Sequence, residues 1–248
     1  MDITAYLERI NYPGSRTPSA ETLRNLQVAH LLSVPFENLS IHTHEPIVLN
    51  DEALFNKIVE RRRGGFCYEC NGLFAALLRA LGFDVSMLSA EVAKAGGGFS
   101  QPFDHMTLMV KLEETWLVDV GFGDSFLEPL KMGNSTEQIQ GPESFRIVAE
   151  DEYLVVQRQY DHEWKKEYRF TLQPYKYSDF EEMCRYHQTS PQSHFTQKRI
   201  CSLATSDGRI TLSDMRFIVT SDGVREERAL SHKKEYDEIL LKQFGIKM

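Results

Sequence analysis

An α+β fold is predicted from this sequence by three observations. Apolar residues recur at helical spacing through the first third, the patterning turns strand-like at Val85, and a short mixed region closes the chain. The corresponding division is 1–84, 85–190 and 191–248. At 248 residues the chain can bury a sizeable core, and its 42% hydrophobic and 26% charged content is that of a globular protein.

The elements follow in order. Thr17 is read as a cap with Pro18 at the first helical position, ahead of Leu23, Leu26, Leu31 and Leu32. Asn50 caps a second helix carrying Leu54, Ile58 and Val59. Phe66, Cys70, Leu73, Phe74, Leu77, Leu78 and Leu81 then form one broad apolar stripe, entered through Gly64-Gly65 and ended by Gly82. VSMLSAEV, HMTLMVKL and TWLVDVGF are rich in β-branched and aromatic residues, and the last two read as a hairpin turning near Glu113-Glu114. Between the first strands lies the flexible loop KAGGGFSQPF, of a kind that often borders a site. Strands continue around Phe145–Val156 and Trp164–Leu172. After SPQSHFTQK come short strands with Ser-Asp-Gly turns at Ser206 and Ser221, and Ser231 caps a last helix bearing Tyr236, Ile239, Leu240 and Phe244.

A formal charge of −8 argues against nucleic acid or an anionic membrane as a partner. The runs Arg61–Arg63 and Lys165-Lys166 read as solvated faces. The first residues lack a secretory pattern, and no apolar run approaches the ~18 residues of a membrane span. Four cysteines are too sparse for a disulfide framework, which points to a reducing cytoplasmic setting.

Cys67 and Cys70 admit three readings: core, metal clip or reactive thiol. Cys70 lies within the apolar stripe and reads as core, as do Cys184 and Cys201. A zinc site would need Cys184 and His187 beside the first pair, but that pair is embedded in a helix, and no metal is expected. Cys67 instead starts the helix after two glycines, where unpaired amides and the helix dipole favour a thiolate and lower its pKa. A cysteine nucleophile needs a base and a group to orient that base. His105 enters a strand after the glycine-rich loop. Asp119 is an acid inside an apolar strand, costly unless paired. Cys67, His105 and Asp119 together make a thiol triad.

RGGFCYECN, PFENL, His105, VDVGFG and SPQSHF, in this order, closely resemble the arylamine N-acetyltransferases. The resemblance implies a helical bundle, a β-barrel and a small α/β lid around a cysteine-protease-like (transglutaminase-like) core. It implies the same triad, acetyl-CoA as co-substrate, and arylamines, hydrazines or arylhydroxylamines as acceptors, through an acetyl-cysteine and ping-pong kinetics. It places Phe36 and Phe122 in the acceptor pocket and Phe103, Asp104 and Gly123 at the CoA site. The rival readings are a thiol hydrolase or transglutaminase-like enzyme with the same triad, and a zinc-binding scaffold.

The triad constrains its own hairpin. A two-residue turn at Glu113-Glu114 would put Asp119 opposite Leu108, on the wrong face for His105. A three-residue loop pairs Lys111 with Thr115 and sets Asp119 opposite Thr107, diagonal to His105. An odd-length loop near 112–114, or a bulge before Asp119, is therefore expected.

Overall fold

The computed structural model describes residues 1–133 and 135–247. Its helices are α1 (Ile3–Arg9), α2 (Ala20–Leu31), α3 (Leu39–His42), α4 (Asp51–Phe55), α5 (Cys67–Ala80), α6 (Glu181–Thr189), α7 (His194–Gln197) and α8 (Lys233–Phe244). The strands are β1 (Phe36–Glu37), β2 (Asp84–Val92), β3 (His105–Lys111), β4 (Thr115–Val118), β5 (Leu130–Lys131), β6 (Gln138–Gln140), β7 (Glu143–Glu150), β8 (Tyr153–Tyr160), β9 (Glu163–Tyr175), β10 (Ile200–Thr205), β11 (Gly208–Ser213), β12 (Arg216–Ser221) and β13 (Val224–Ala229). The α+β class holds. No helix among the described residues is long and apolar enough to cross a membrane.

Two helix caps differ from the sequence reading. Ser19, not Thr17, accepts from the Thr22 amide at the start of α2, because its hydroxyl lies three residues before that free N–H. At α8 the cap is His232, whose Nδ1 accepts from the Glu235 amide, while Ser231 stays outside. Asn50 caps α4 as expected. Phe36-Glu37, in the stretch read as helical, is extended because it pairs with Cys201 and Ser202 on β10.

Helix α5 is central. Its residues from Cys67 to Ala75 are all buried, so it is enclosed on every side rather than along one stripe. Strand β3 is buried on both faces. Met106, Leu108 and Val110 pack towards α5, whereas Met109 and its cross-strand partner Leu117 join a second core with Phe126, Phe145 and Tyr168.

That second core fills an eight-stranded antiparallel sheet in the order β5-β4-β3-β2-β9-β8-β7-β6, curled so that its ends meet. Side chains close the seam in place of a ladder. Gln138 accepts from the Lys131 amide at 2.8 Å and donates to its carbonyl at 3.0 Å, and Gln140 treats Glu128 the same way at 2.9 and 2.8 Å. Edge groups that would otherwise be unpaired are thereby satisfied. A five-stranded sheet, β1-β10-β11-β12-β13, packs with α8 over a third core. The turn Asp222-Gly223 has φ values of 49° and 78°, the backbone that a tight hairpin requires.

Candidate active site

The hairpin has the expected odd loop. Lys111 pairs with Thr115, and Leu112, Glu113 and Glu114 form the connection. Pairing continues to Leu108–Val118, which leaves Asp119 on the same face as His105. His105 Nε2 lies 2.6 Å from Asp119 Oδ2. Nδ1 is then the ring nitrogen left for another partner.

Asp119 is almost fully buried, and its second oxygen is satisfied twice. Oδ1 accepts from Asn71 Nδ2 and from the Gly121 amide, each at 2.9 Å. Burial works to raise its pKa, but the charge and hydrogen bond of His105, with Asn71 and Gly121, outweigh it and hold the carboxyl below its usual value. Asn71 also donates to the Met106 carbonyl at 2.7 Å and accepts from the Val120 amide at 2.8 Å, which ties α5 to both strands. Gln27 accepts from the Asp119 amide at 3.3 Å.

Cys67 is the first residue of α5 and is 3% exposed. Burial pushes its thiol well above the ordinary value, opposed by a hydrogen bond from the Met106 backbone and reinforced by the Asp104 and Asp119 carboxylates. This corrects the expectation of a lowered pKa. A helix start stabilises a thiolate only when water or a counter-ion also reaches it. Cys70 donates to the Gly65 carbonyl and Cys184 accepts from Gln188, and all four cysteines are buried and free. Among the described residues no three or more His, Cys, Asp or Glu are arranged as metal ligands.

The residues that shape this corner are held from below by buried charges. The basic run read as a solvated face divides: Arg61 and Arg62 are exposed, while Arg63 is buried with its Nη2 2.9 Å from Glu37. Lys57 lies 2.7 Å from Glu69 and 3.8 Å from Glu37, and Glu69 accepts from the Phe66 amide at 3.1 Å, fixing the start of α5. Gly64 has no room for a side chain against the Pro35 carbonyl. At Gly121 a Cβ would sit 2.7 Å from the Cys67 Cα, so glycine lets the loop after Asp119 touch the helix start.

Cys67 and His105 line one cavity of about 220 Å³ with Phe36, Val92, Asp104, Gly121, Phe122, His187, His194 and Phe195. The Phe122 ring meets His105 edge to face at 5.1 Å and packs on Tyr168 at the same distance. Phe36 and Phe195 face each other at 6.2 Å. Asp104 borders the cavity. Phe103 does not; its ring packs against Tyr175 and Phe180. Gly123, at φ 94°, lies against the Phe36 ring. The sequence reading gave no site role to Gln27, Tyr168 or Phe195, which are distant in the chain from the triad.

A model of the N-acetyltransferase family matches residues 19–248. Human arylamine N-acetyltransferase 1 is 35% identical over 275 aligned positions, covering 100% of this chain and 95% of the relative. This chain belongs to the arylamine N-acetyltransferase family. It is an acyltransferase. The arylamine N-acetyltransferase of Escherichia coli strain K12 is 33% identical across 97% of this chain and 87% of its own. Among solved structures, the Mycobacterium tuberculosis family member superposes with a TM-score of 0.93 at 32% identity, covering 99% of this chain and 94% of that one. The Mycobacterium marinum enzyme in complex with CoA gives a TM-score of 0.92 at 33% identity, with 99% and 93% covered.

Proposed function

We propose that this chain transfers an acetyl group from acetyl-CoA to arylamines, hydrazines or arylhydroxylamines through an acetyl-Cys67 intermediate, in a ping-pong sequence. The observation that carries the reading is the placement of Cys67 and the Asp119-held His105 in the wall of one aromatic-lined cavity. Family membership supports the reaction class.

A thiol buried this deeply does not ionise into bulk water. Its proton passes instead to His105 Nδ1, so the pair becomes thiolate and imidazolium with no change in net charge. Asp119, already a carboxylate, stabilises the imidazolium through Nε2. The Met106 amide, bonded to Cys67, favours the thiolate. Sγ then attacks the thioester carbonyl carbon, the CoA sulfur departs with the proton from His105, and one thioester replaces another. The exchange is nearly balanced in energy.

An arylamine is largely neutral at pH 7. Its nitrogen attacks the acetyl carbon, His105 takes the amine proton as the C–N bond forms, and Cys67 leaves as the thiolate. Phe36 and Phe122 would pack on the acceptor ring and keep water from the acetyl-enzyme. Phe103 and Gly123 lie behind the lining, against Tyr175 and Phe36, while Asp104, in the cavity wall, is assigned to the path of the donor arm. A carboxylate there suits the neutral amide donors of that arm rather than its phosphates.

Purified protein with acetyl-CoA and a panel of arylamines and hydrazines tests this reading. Free CoA thiol should appear in step with acetylated amine, and only slowly without acceptor. Rapid thiol release that ignores the amine would instead indicate a hydrolase.

A further inference from the structure

One pair of ionisable groups in the cavity wall takes no part in the proton and acyl transfers. His187, on α6, and Asp104, the residue before His105, approach with Nε2 3.2 Å from Oδ1. The contact is bent rather than a straight hydrogen bond, but the His187 side chain is only 7% exposed. Its other nitrogen lies 3.0 Å from Ser193 Oγ, which itself accepts from the Phe195 amide at 3.2 Å. The Ser193 hydroxyl can therefore donate to Nδ1, and in that tautomer the ring N–H at Nε2 faces Asp104.

The ring cannot swing away. Tyr68 stacks on it at 6.1 Å, and the edges of Phe66 and Phe195 close it in at 6.5 and 5.1 Å. The Tyr68 hydroxyl donates to the Phe103 carbonyl at 2.7 Å and the Asp104 carbonyl at 3.2 Å, so the Asp104 backbone is anchored as well. The Asp104 side chain remains 24% exposed, on the cavity side.

The charge pattern of the lining is one-sided. No lysine or arginine is among the described residues that line the cavity. The Asp119 carboxylate is consumed by His105, Asn71 and Gly121, and His194 sits exposed at the rim. Asp104 is the carboxylate with capacity to meet a bound molecule.

Resting on the function proposed above, we infer that Asp104 is a specificity-determining residue and His187 its positioning residue. Together they set a fixed carboxylate beside Cys67 that rejects acceptors with an anionic ring substituent and accepts neutral or cationic ones. Asp104 is also held below its usual carboxyl pKa: burial opposes this, but the neighbouring His187 and Ser100 side chains, with His105, outweigh it.

The test compares 4-aminobenzamide with its anionic counterpart 4-aminobenzoate, both acetylated from the same acetyl-enzyme. Asp104→Asn should raise kcat/KM for the carboxylate relative to the amide by about tenfold or more, since a unit charge at close range in a cavity is worth at least that factor. Asp104→Glu should keep the wild-type preference. His187→Gln, which retains a donor, should keep it better than His187→Leu. An Asn variant with an unchanged ratio overturns the inference.

A second readout needs no variant and no acetyl transfer. Benzamide should protect Cys67 of the wild type from iodoacetamide at about a tenfold lower concentration than benzoate. Equal protection overturns the inference. If neither amine is acetylated yet benzamide still protects better, the acetyltransfer reading falls while the charge discrimination stands.

Discussion

His105 Nε2 meets Asp119 Oδ2 at 2.6 Å across a hairpin whose three-residue connection decides that the two side chains share a face. A shift of one residue would turn the Asp119 side chain to the other side of the strand. The pair is also insulated: His105 is 3% exposed and Asp119 3% exposed, so their attraction is little screened by water.

The pair and Cys67 should therefore behave as one unit. His105→Gln and Asp119→Asn are each expected to lower the rate of acetyl transfer by roughly 10³–10⁴-fold. The double variant should be little worse than the weaker single one. Steady-state kinetics on purified singles and double check this; losses that multiply would show independent roles.

Gly121→Ala should disable the site without unfolding the protein. The added Cβ would come within 2.8 Å of Asn71 Nδ2 as well as 2.7 Å of the Cys67 Cα, pushing the Asp119 loop off the helix. A displacement of that kind costs on the order of 10² in rate. Kinetics with a parallel thermal melt tests it. Full activity in the variant would mean that the loop adapts freely.

Much of this corner was legible in the sequence because its parts are close in the chain. An acid within an apolar strand and a histidine 14 positions earlier suffice to predict that His105 meets Asp119 and that the connecting loop has odd length. What stayed hidden depends on long-range packing. His187 reaches Asp104 from 83 positions away, and Tyr168 reaches Thr107 from 61, with no local pattern to announce either. Arg63 looked like its solvated neighbours, because only the fold brings Glu37 to it. The burial that raises the Cys67 thiol has the same long-range origin. A helix start is visible in sequence, but the burial that overrides it is not.

Lys57→Met should be strongly destabilising. It would leave the fully buried Glu69 carboxylate without an ion-pair partner and Glu37 with Arg63 alone, for an expected loss of about 3–5 kcal/mol. Glu69→Gln added to Lys57→Met should recover part of that loss. Urea unfolding of the single and double variants measures both. A single-variant loss under about 1 kcal/mol would show that the cluster contributes little.

His30 gives the fold a pH dependence of defined sign. It is wholly buried against Phe74 and Tyr6, and burial, helped by the Arg9 charge, lowers its pKa to about 3. The unfolded chain binds a proton near pH 6.5 while the folded one does not, so its stabilising effect is complete above that pH and erodes below it. The slope is about 1.4 kcal/mol per pH unit between the two values. Thermal melts at neutral and mildly acidic pH should show a steeper fall for wild type than for His30→Gln. Parallel curves would remove His30 as the cause.

Acyl transfer through Cys67 is tested by intact-mass spectrometry of the protein mixed with acetyl-CoA and no acceptor. A gain of one acetyl group is expected, mapped by peptide digestion to Cys67, absent in Cys67→Ala and discharged when an arylamine is added. Acetyl transfer to the amine at full rate by Cys67→Ala, or an acetyl group found on another residue, would contradict it.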